Sequence, residues 1–193
     1  MGNRGVLHDA DGLVGTARWR LKAWLVCLID FRGRHRQVMT PNRYTELFFL
    51  DEATALAAGH RPCFECRRRA FLAFRDAWAA GNGWTAETPP RVADIDSRLH
   101  AERVVPRTRR KLTWVCNIAN LPDGTMIAGV DDAGTAFLLQ GEHLLPWRFK
   151  GYGCPKRRPV KGHVTVLTPP STVAALAAGY APVLHPSVHE DPR

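Results

Sequence analysis

The segment Cys63-Phe64-Glu65-Cys66 constrains this chain more than any other feature. Two cysteines two residues apart, on a turn leading into a helix, can bring both sulfurs to one tetrahedral ion at about 2.3 Å. A helix start directly behind the pair favours thiolate over thiol, and Arg67, Arg68 and Arg69 deepen that preference. The same spacing also suits a redox dithiol or two incidental thiols. The chain has five cysteines, an odd number, and Cys27, Cys116 and Cys154 stand alone, so a reducing compartment is expected rather than a disulfide framework. Residues 1–11 lack the charged-then-apolar layout of a signal peptide. The apolar run at residues 23–29 is far shorter than the roughly 20 residues of a membrane helix. A cytoplasmic chain with no membrane partner is therefore expected.

Around the cysteine pair the sequence alternates between strand and helix signals. Residues 17–31 carry an apolar strand, with further strands expected at 35–39 and 44–50, and residues 1–16 read as an irregular arm. Asp51 is placed to cap a short helix over 53–58, which Gly59 ends. Ala70, Phe71, Phe74 and Trp78 recur at three- and four-residue steps and predict a longer helix from Glu65 to about Ala80, stopped by Gly81-Asn82-Gly83. After Lys111 the texture changes to short strands at 112–118, 125–130, 136–139, 144–147 and 164–167, separated by turn chemistry such as Pro122-Asp123-Gly124. A short helix is expected over 99–105, and a final one over 172–178 with Ser171 as its cap. The fold class is α+β. A small zinc-binding α/β half (1–84) precedes a linker with a short helix (85–110) and an antiparallel β-rich half (111–193), and the whole can form one compact unit.

The net charge is +9, and the excess is clustered: Arg32, Arg34, His35 and Arg36; Arg67, Arg68 and Arg69; Arg107, Arg109, Arg110 and Lys111; Lys156, Arg157, Arg158 and Lys161. Such clusters can assemble a phosphate-binding face, because each contact releases counterions condensed on nucleic acid. Arg67, Arg68, Arg69, Arg109, Arg110, Lys111, Arg157 and Arg158 are the nucleic-acid contacts this reading selects; a solvated surface is the alternative.

Residues 47–67 run Leu-Phe-Phe-Leu-Asp-Glu-Ala-Thr-Ala-Leu-Ala-Ala-Gly-His-Arg-Pro-Cys-Phe-Glu-Cys-Arg. This stretch resembles the zinc-binding domain of the Ada family of DNA alkylation-repair proteins, which shows two aromatics, a short Ala-rich helix, then Gly, an aromatic, Arg-Pro-Cys, two residues and Cys-Arg. The resemblance implies one zinc and contact with the DNA backbone. In that family four cysteines hold the zinc, and one of an upstream Cys-x-x-x-Cys pair accepts a methyl group from a phosphotriester. An ungapped extension puts that pair at Arg32 and Arg36, which cannot bind zinc because a guanidinium offers no lone pair at neutral pH. Only the scaffold is carried over; methyl transfer is not.

If zinc is present, Cys63 and Cys66 need further ligands. His35, beside the expected position, and Cys27, on the apolar strand, are the nearest candidates; His100 and Cys154 are more distant ones. Cys27 can equally be a buried small hydrophobe, and His60, where the family tends to have an aromatic, reads as packing. His100 and Glu102 also offer an acid–base pair on the 99–105 helix, against the plainer reading of a polar helix face. Trp147-Arg148-Phe149-Lys150 interleaves aromatics with cations, as base-stacking surfaces do, against the plainer reading of a β core with a glycine bend. No phosphate-cradling loop or nucleophile elbow is present in the sequence. The resulting expectation is a zinc-containing DNA-binding protein linked to repair or processing. Its rivals are an enzyme acting on nucleic acid through a metal or through His100 and Glu102, and an interaction module that binds no nucleic acid.

Overall fold

The Ala-rich stretch after Asp51 forms helix α1 (Glu52–Ala57), and the Asp51 carboxylate fixes its start by accepting the Thr54 backbone N–H at 2.8 Å. Gly59 ends it with a φ of +83°, the left-handed geometry a helix terminus asks for. Both features follow the sequence. This computed structural model describes residues 1–33, 37–85, 87–129 and 134–189.

Around α1, three very short strands make one sheet in the order β1 (Gly2–Asn3), β2 (Leu25–Val26), β3 (Arg61–Pro62). β1 runs antiparallel to β2, and β2 parallel to β3. Helices α2 (Arg68–Gly81) and α3 (Val92–Arg103) follow. The remaining strands are β4 (Trp114–Asn117), β5 (Met126–Ile127), β6 (Phe137–Gln140), β7 (His143–Arg148), β8 (Gly151–Tyr152), β9 (Lys156–Arg157) and β10 (His163–Val166), and α4 (Pro170–Ala177) comes last. These strands form an antiparallel sheet in the order β4-β10-β5-β6-β7-β8, with β9 also paired to β7. The fold is mixed α+β, as expected. Among the described residues no helix is long and apolar enough to cross a membrane.

The buried residues do not respect the division at residue 111. Leu56, Phe74, Trp78, Ile95 and Leu99 pack with Ala175, Leu176 and Tyr180 from the far end of the chain. Ala53 and Ala57 of α1 pack with Met126, Leu138, Leu145 and Tyr152 of the large sheet. Segment 85–110, read as a linker with a short helix over 99–105, holds the longer α3, whose Ile95 and Leu99 are fully buried.

Elsewhere the elements differ from expectation for local reasons. α2 starts at Arg68 rather than Glu65, because residues 63–67 are spent on a turn closed by the Arg67 N–H on the Cys63 carbonyl at 3.1 Å. Segment 44–50 is not a strand; Leu47 makes only an isolated bridge to Gly2, since the two-residue β1 offers no longer ladder. For the same reason only Leu25 and Val26 of 17–31 pair. Of the strand expected at 35–39, the described residues 37–39 form no strand, and Met39 turns the chain with a φ of +62°. Ser171 does not cap α4. Pro169 precedes the helix, Pro170 opens it, and Ser171 instead donates its N–H (3.0 Å) and hydroxyl (2.6 Å) to Glu102 of α3.

α2 and α4 approach most closely at Gly81. A Cβ there would collide with the Ala174 carbonyl of α4. Gly81→Ala is expected to cost roughly 1–3 kcal/mol through overpacking despite the better helix propensity of alanine, read as a lower urea midpoint. An unchanged midpoint would show that the helices separate freely.

Candidate metal centre

Strand pairing explains why Cys27 meets Cys63. β2 and β3 run parallel with Val26 opposite Pro62, so the next residue on each strand is a cysteine, Cys27 on one and Cys63 on the other. The Cys63 N–H donates to the Val26 carbonyl at 3.0 Å and locks this register. The 63–67 turn then swings Cys66 back. The three sulfurs lie within 4.8 Å of one another, and Cys63 is buried. Three cysteines at these separations could hold a metal ion. Sulfurs bound to one tetrahedral ion at 2.3 Å sit about 3.8 Å apart, so only a small closure is needed.

Two buried ion pairs hold the turn. Arg61, beside Pro62-Cys63, makes a bidentate bridge to Asp96 of α3, with both N–H···O distances 2.7 Å. Arg67, beside Cys66, donates to Glu52 at 2.9 Å. Glu52 also accepts the Tyr180 hydroxyl at 2.7 Å and the Val183 N–H at 2.9 Å, so the cysteine turn is tied to the end of the chain. The two arginines of the Arg-Pro-Cys and Cys-Arg segments are thus anchors of the fold.

The electrostatics divide the thiols. Cys63 is pulled down to about 5, first by its hydrogen bond with Cys27 and then by the backbone N–H groups of Cys66 and Glu65. Cys27 is pushed up by its hydrogen bond to the Cys63 sulfur and by burial. Burial also pushes up Cys66, although the Leu28 N–H donates to its sulfur at 3.4 Å. At neutral pH the cluster therefore holds one thiolate and two thiols, with the Cys27 proton chiefly, and the Cys66 proton as well, donated into the anion. A donor set of one preformed thiolate and two sulfur neighbours fits a soft divalent ion.

A cavity of roughly 230 Å³ opens beside the cluster, walled by Leu28, Phe31, Val38, Tyr44, Glu46 and Phe48 among others. His35, one of the candidate further ligands, lies outside the described residues. Cys154 is exposed and not part of the cluster, and neither is His100. His100 packs its ring on Trp19 and Trp24, with Nδ1 3.3 Å from the Arg103 guanidinium. Glu102 is occupied by Arg98 and Ser171. The two weak catalytic candidates therefore serve different neighbours. His60 is buried against Phe49 and Trp24, the packing role expected of it.

The basic residues separate in the same way. Arg67 is paired with Glu52, Arg158 caps the Ile118 and Leu121 carbonyls at 2.7 and 2.6 Å, and the Lys111 ammonium reaches the Ala57 carbonyl at 2.7 Å. Arg68, Arg69, Arg109, Arg110 and Arg157 are exposed. Trp147 is half-buried in β7, whereas Phe149 stands 90% exposed at the following turn. Comparison with protein-family models, curated proteins and solved structures finds no match to this chain.

Two sets of residues escape a reading of the sequence. Arg61 and Asp96 are 35 positions apart, and nothing in their neighbourhoods announces the pair. Arg18, Trp19 and Arg20 carry a visible alternation of cation and aromatic, but it falls inside the strand expected at 17–31.

Proposed function

We propose that the chain is a zinc-containing, nucleic-acid-binding protein in which Cys27, Cys63 and Cys66 hold the ion. The observation that carries this reading is the convergence of three sulfurs within 4.8 Å on two parallel strands and a turn. Three thiolates suit zinc among the common cellular divalent ions, and the Ada-type resemblance of residues 47–67 agrees with a zinc-centred scaffold. His35 supplies the fourth donor. Its support is placement along the chain: Phe31 and Val38, on either side of it in sequence, both wall the cavity beside the sulfurs. A Cys₃His set is a closed, structural site, and the exposed arginines on a chain of net charge +9 then meet phosphate.

The same cavity favours one rival. Were the fourth position left to water, the ion would be open to substrate and the chain would be an enzyme acting on nucleic acid. Metal content by mass spectrometry on the purified chain decides between these readings. One zinc per chain is expected, lost in Cys63→Ser and Cys27→Ser, retained in Cys154→Ser and strongly weakened in His35→Ala. Full retention in His35→Ala would favour the open site, and a folded, metal-free wild type would sink the zinc reading.

A further inference from the structure

Away from the cysteines, Arg18, Trp19, Arg20 and Arg109 wall a cavity of roughly 190 Å³ together with Ala17. Arg18, Arg20 and Arg109 are exposed, and among the described residues none of them makes an ion pair. Trp19 is half-buried. Its ring is braced edge-on by His100 at 5.3 Å and tilted against Trp24 at 6.2 Å, so the indole is held still. Arg109 is fixed from the other side. It adopts a φ of +56°, which a non-glycine residue takes only under constraint, and donates to the Thr16 carbonyl at 3.1 Å.

Behind this wall the charge is positive as well. The guanidiniums of Arg4 and Arg103 each lie 3.8 Å from the Trp24 ring centre. With Lys111 they are spent on the carbonyls that end α1: Arg4 on Ala58 at 3.4 Å, Arg103 on Gly59 at 2.7 Å and Lys111 on Ala57 at 2.7 Å. Crowding is felt in their ionisation. Burial, with Arg18 adding repulsion, lowers Arg4 to about 10, and burial lowers Arg103 to about 9. A carbonyl cap absorbs only partial charge, so these buried cations add to the positive charge of the exposed wall, where a braced indole is also presented.

We infer that this cavity is a binding site for single-stranded nucleic acid, with one base stacked on Trp19 and the adjoining phosphates held by Arg18, Arg20 and Arg109. A small inorganic anion would use the guanidiniums and leave the indole idle. A duplex offers such a surface phosphates, sugars and base edges but no base face for the indole, because the faces are stacked inside. An unpaired base beside its own phosphate matches both halves of the wall. The inference rests on the nucleic-acid reading above and assigns to it a site separate from the cysteine cluster.

The test is fluorescence anisotropy of the full chain with a labelled 15-nucleotide oligo-dT, against a labelled duplex of equal length, over a series of salt concentrations. The variants are Trp19→Leu, Trp19→Phe, Arg18→Ser/Arg20→Ser and Arg75→Glu, the last altering a half-buried arginine of α2 that pairs with Asp76 outside the cavity. Wild type is expected to prefer the single strand. Trp19→Leu should weaken it at least about tenfold without changing the salt slope, and Trp19→Phe should restore most of the loss. Arg18→Ser/Arg20→Ser should flatten the slope by about 0.7 for each phosphate that is no longer neutralised. If wild type binds but Trp19→Leu and Arg18→Ser/Arg20→Ser behave like Arg75→Glu, or duplex is preferred, the cavity assignment falls and the nucleic-acid reading stands. If wild type binds neither probe at low salt, both fall together.

Discussion

Asp96→Ala will destabilise the chain by about 3–5 kcal/mol, an effect out of scale with the loss of one short side chain. Asp96 and Arg61 are both buried, with 11% and 3% of their side chains exposed, and their two parallel hydrogen bonds are 2.7 Å each. Removing the carboxylate strands the Arg61 guanidinium in the interior. Arg103 stands close enough for the two cations to repel, so the stranded charge meets an unfavourable neighbour. The damage is also local to the sulfurs. Arg61 lies in β3, its N–H bonds the Trp24 carbonyl at 3.0 Å, and Cys63 is two residues on. Urea unfolding should show a midpoint lowered by on the order of 1–2 M, with metal affinity falling in parallel even where the variant stays folded. Asp96→Asn should be milder, since the amide oxygen still accepts one bond. Asp94→Ala removes a carboxylate that pairs with Arg91 and accepts its backbone N–H at 3.0 Å at the start of the same helix, and should lower the midpoint only slightly, as loss of a solvent-exposed cap does. If Asp96→Ala behaves like Asp94→Ala, Arg61 is reaching water and the interior is less closed than its burial implies.

That contrast also marks where the sequence is readable. The cap at Asp51, the glycine stop at Gly59 and the apolar face of α2 are local signals written within one or two turns of chain, and each is where it is expected. Five strands of the large sheet are legible as short runs between turn signals, although their ends shift where a turn takes over, whereas the two-residue β8 and β9 are not expected from the sequence. Cys66 beside Cys63 is legible for the same reason. Cys27 is legible only as one candidate among several, because choosing it depends on a parallel register between two-residue strands separated by α1, and parallel pairing leaves no local trace. The shared interior is not legible. That Leu56 would meet Leu176 is a consequence of α2 packing on α4 through a bare glycine, and it joins segments more than half the chain apart. Charge is legible in amount but not in use. Arg67, Arg158 and Lys111 look like free surface cations and instead hold a carboxylate and helix and loop carbonyls.

Under the zinc reading, the affinity of the metal-free chain for zinc should rise about a hundredfold per pH unit between roughly pH 6 and 8. The direction follows from the shifts at the cluster. Cys63 lies near 5 and is a thiolate throughout this window, whereas Cys27 and Cys66 are pushed above the ordinary cysteine value and remain protonated. A metal must displace both of their protons, and each displaced proton contributes about a tenfold gain per unit rise in pH. Lowering the pH through 5 adds a third proton, on Cys63, and should steepen the loss. Competition against a chromophoric chelator at several pH values gives the slope. Proton release on adding zinc to weakly buffered chain at pH 7 gives the count directly, with about two per ion expected from the cysteines. Cys66→Ser should lower that count by about one while leaving Cys63 ionised, because the Cys27 hydrogen bond that chiefly holds the anion is untouched. A release near zero would mean that all three sulfurs are already anions before metal arrives. The cluster would then be three mutually repelling charges around a buried point, balanced among the described residues chiefly by the Met1 ammonium, which faces Cys27 and Cys66.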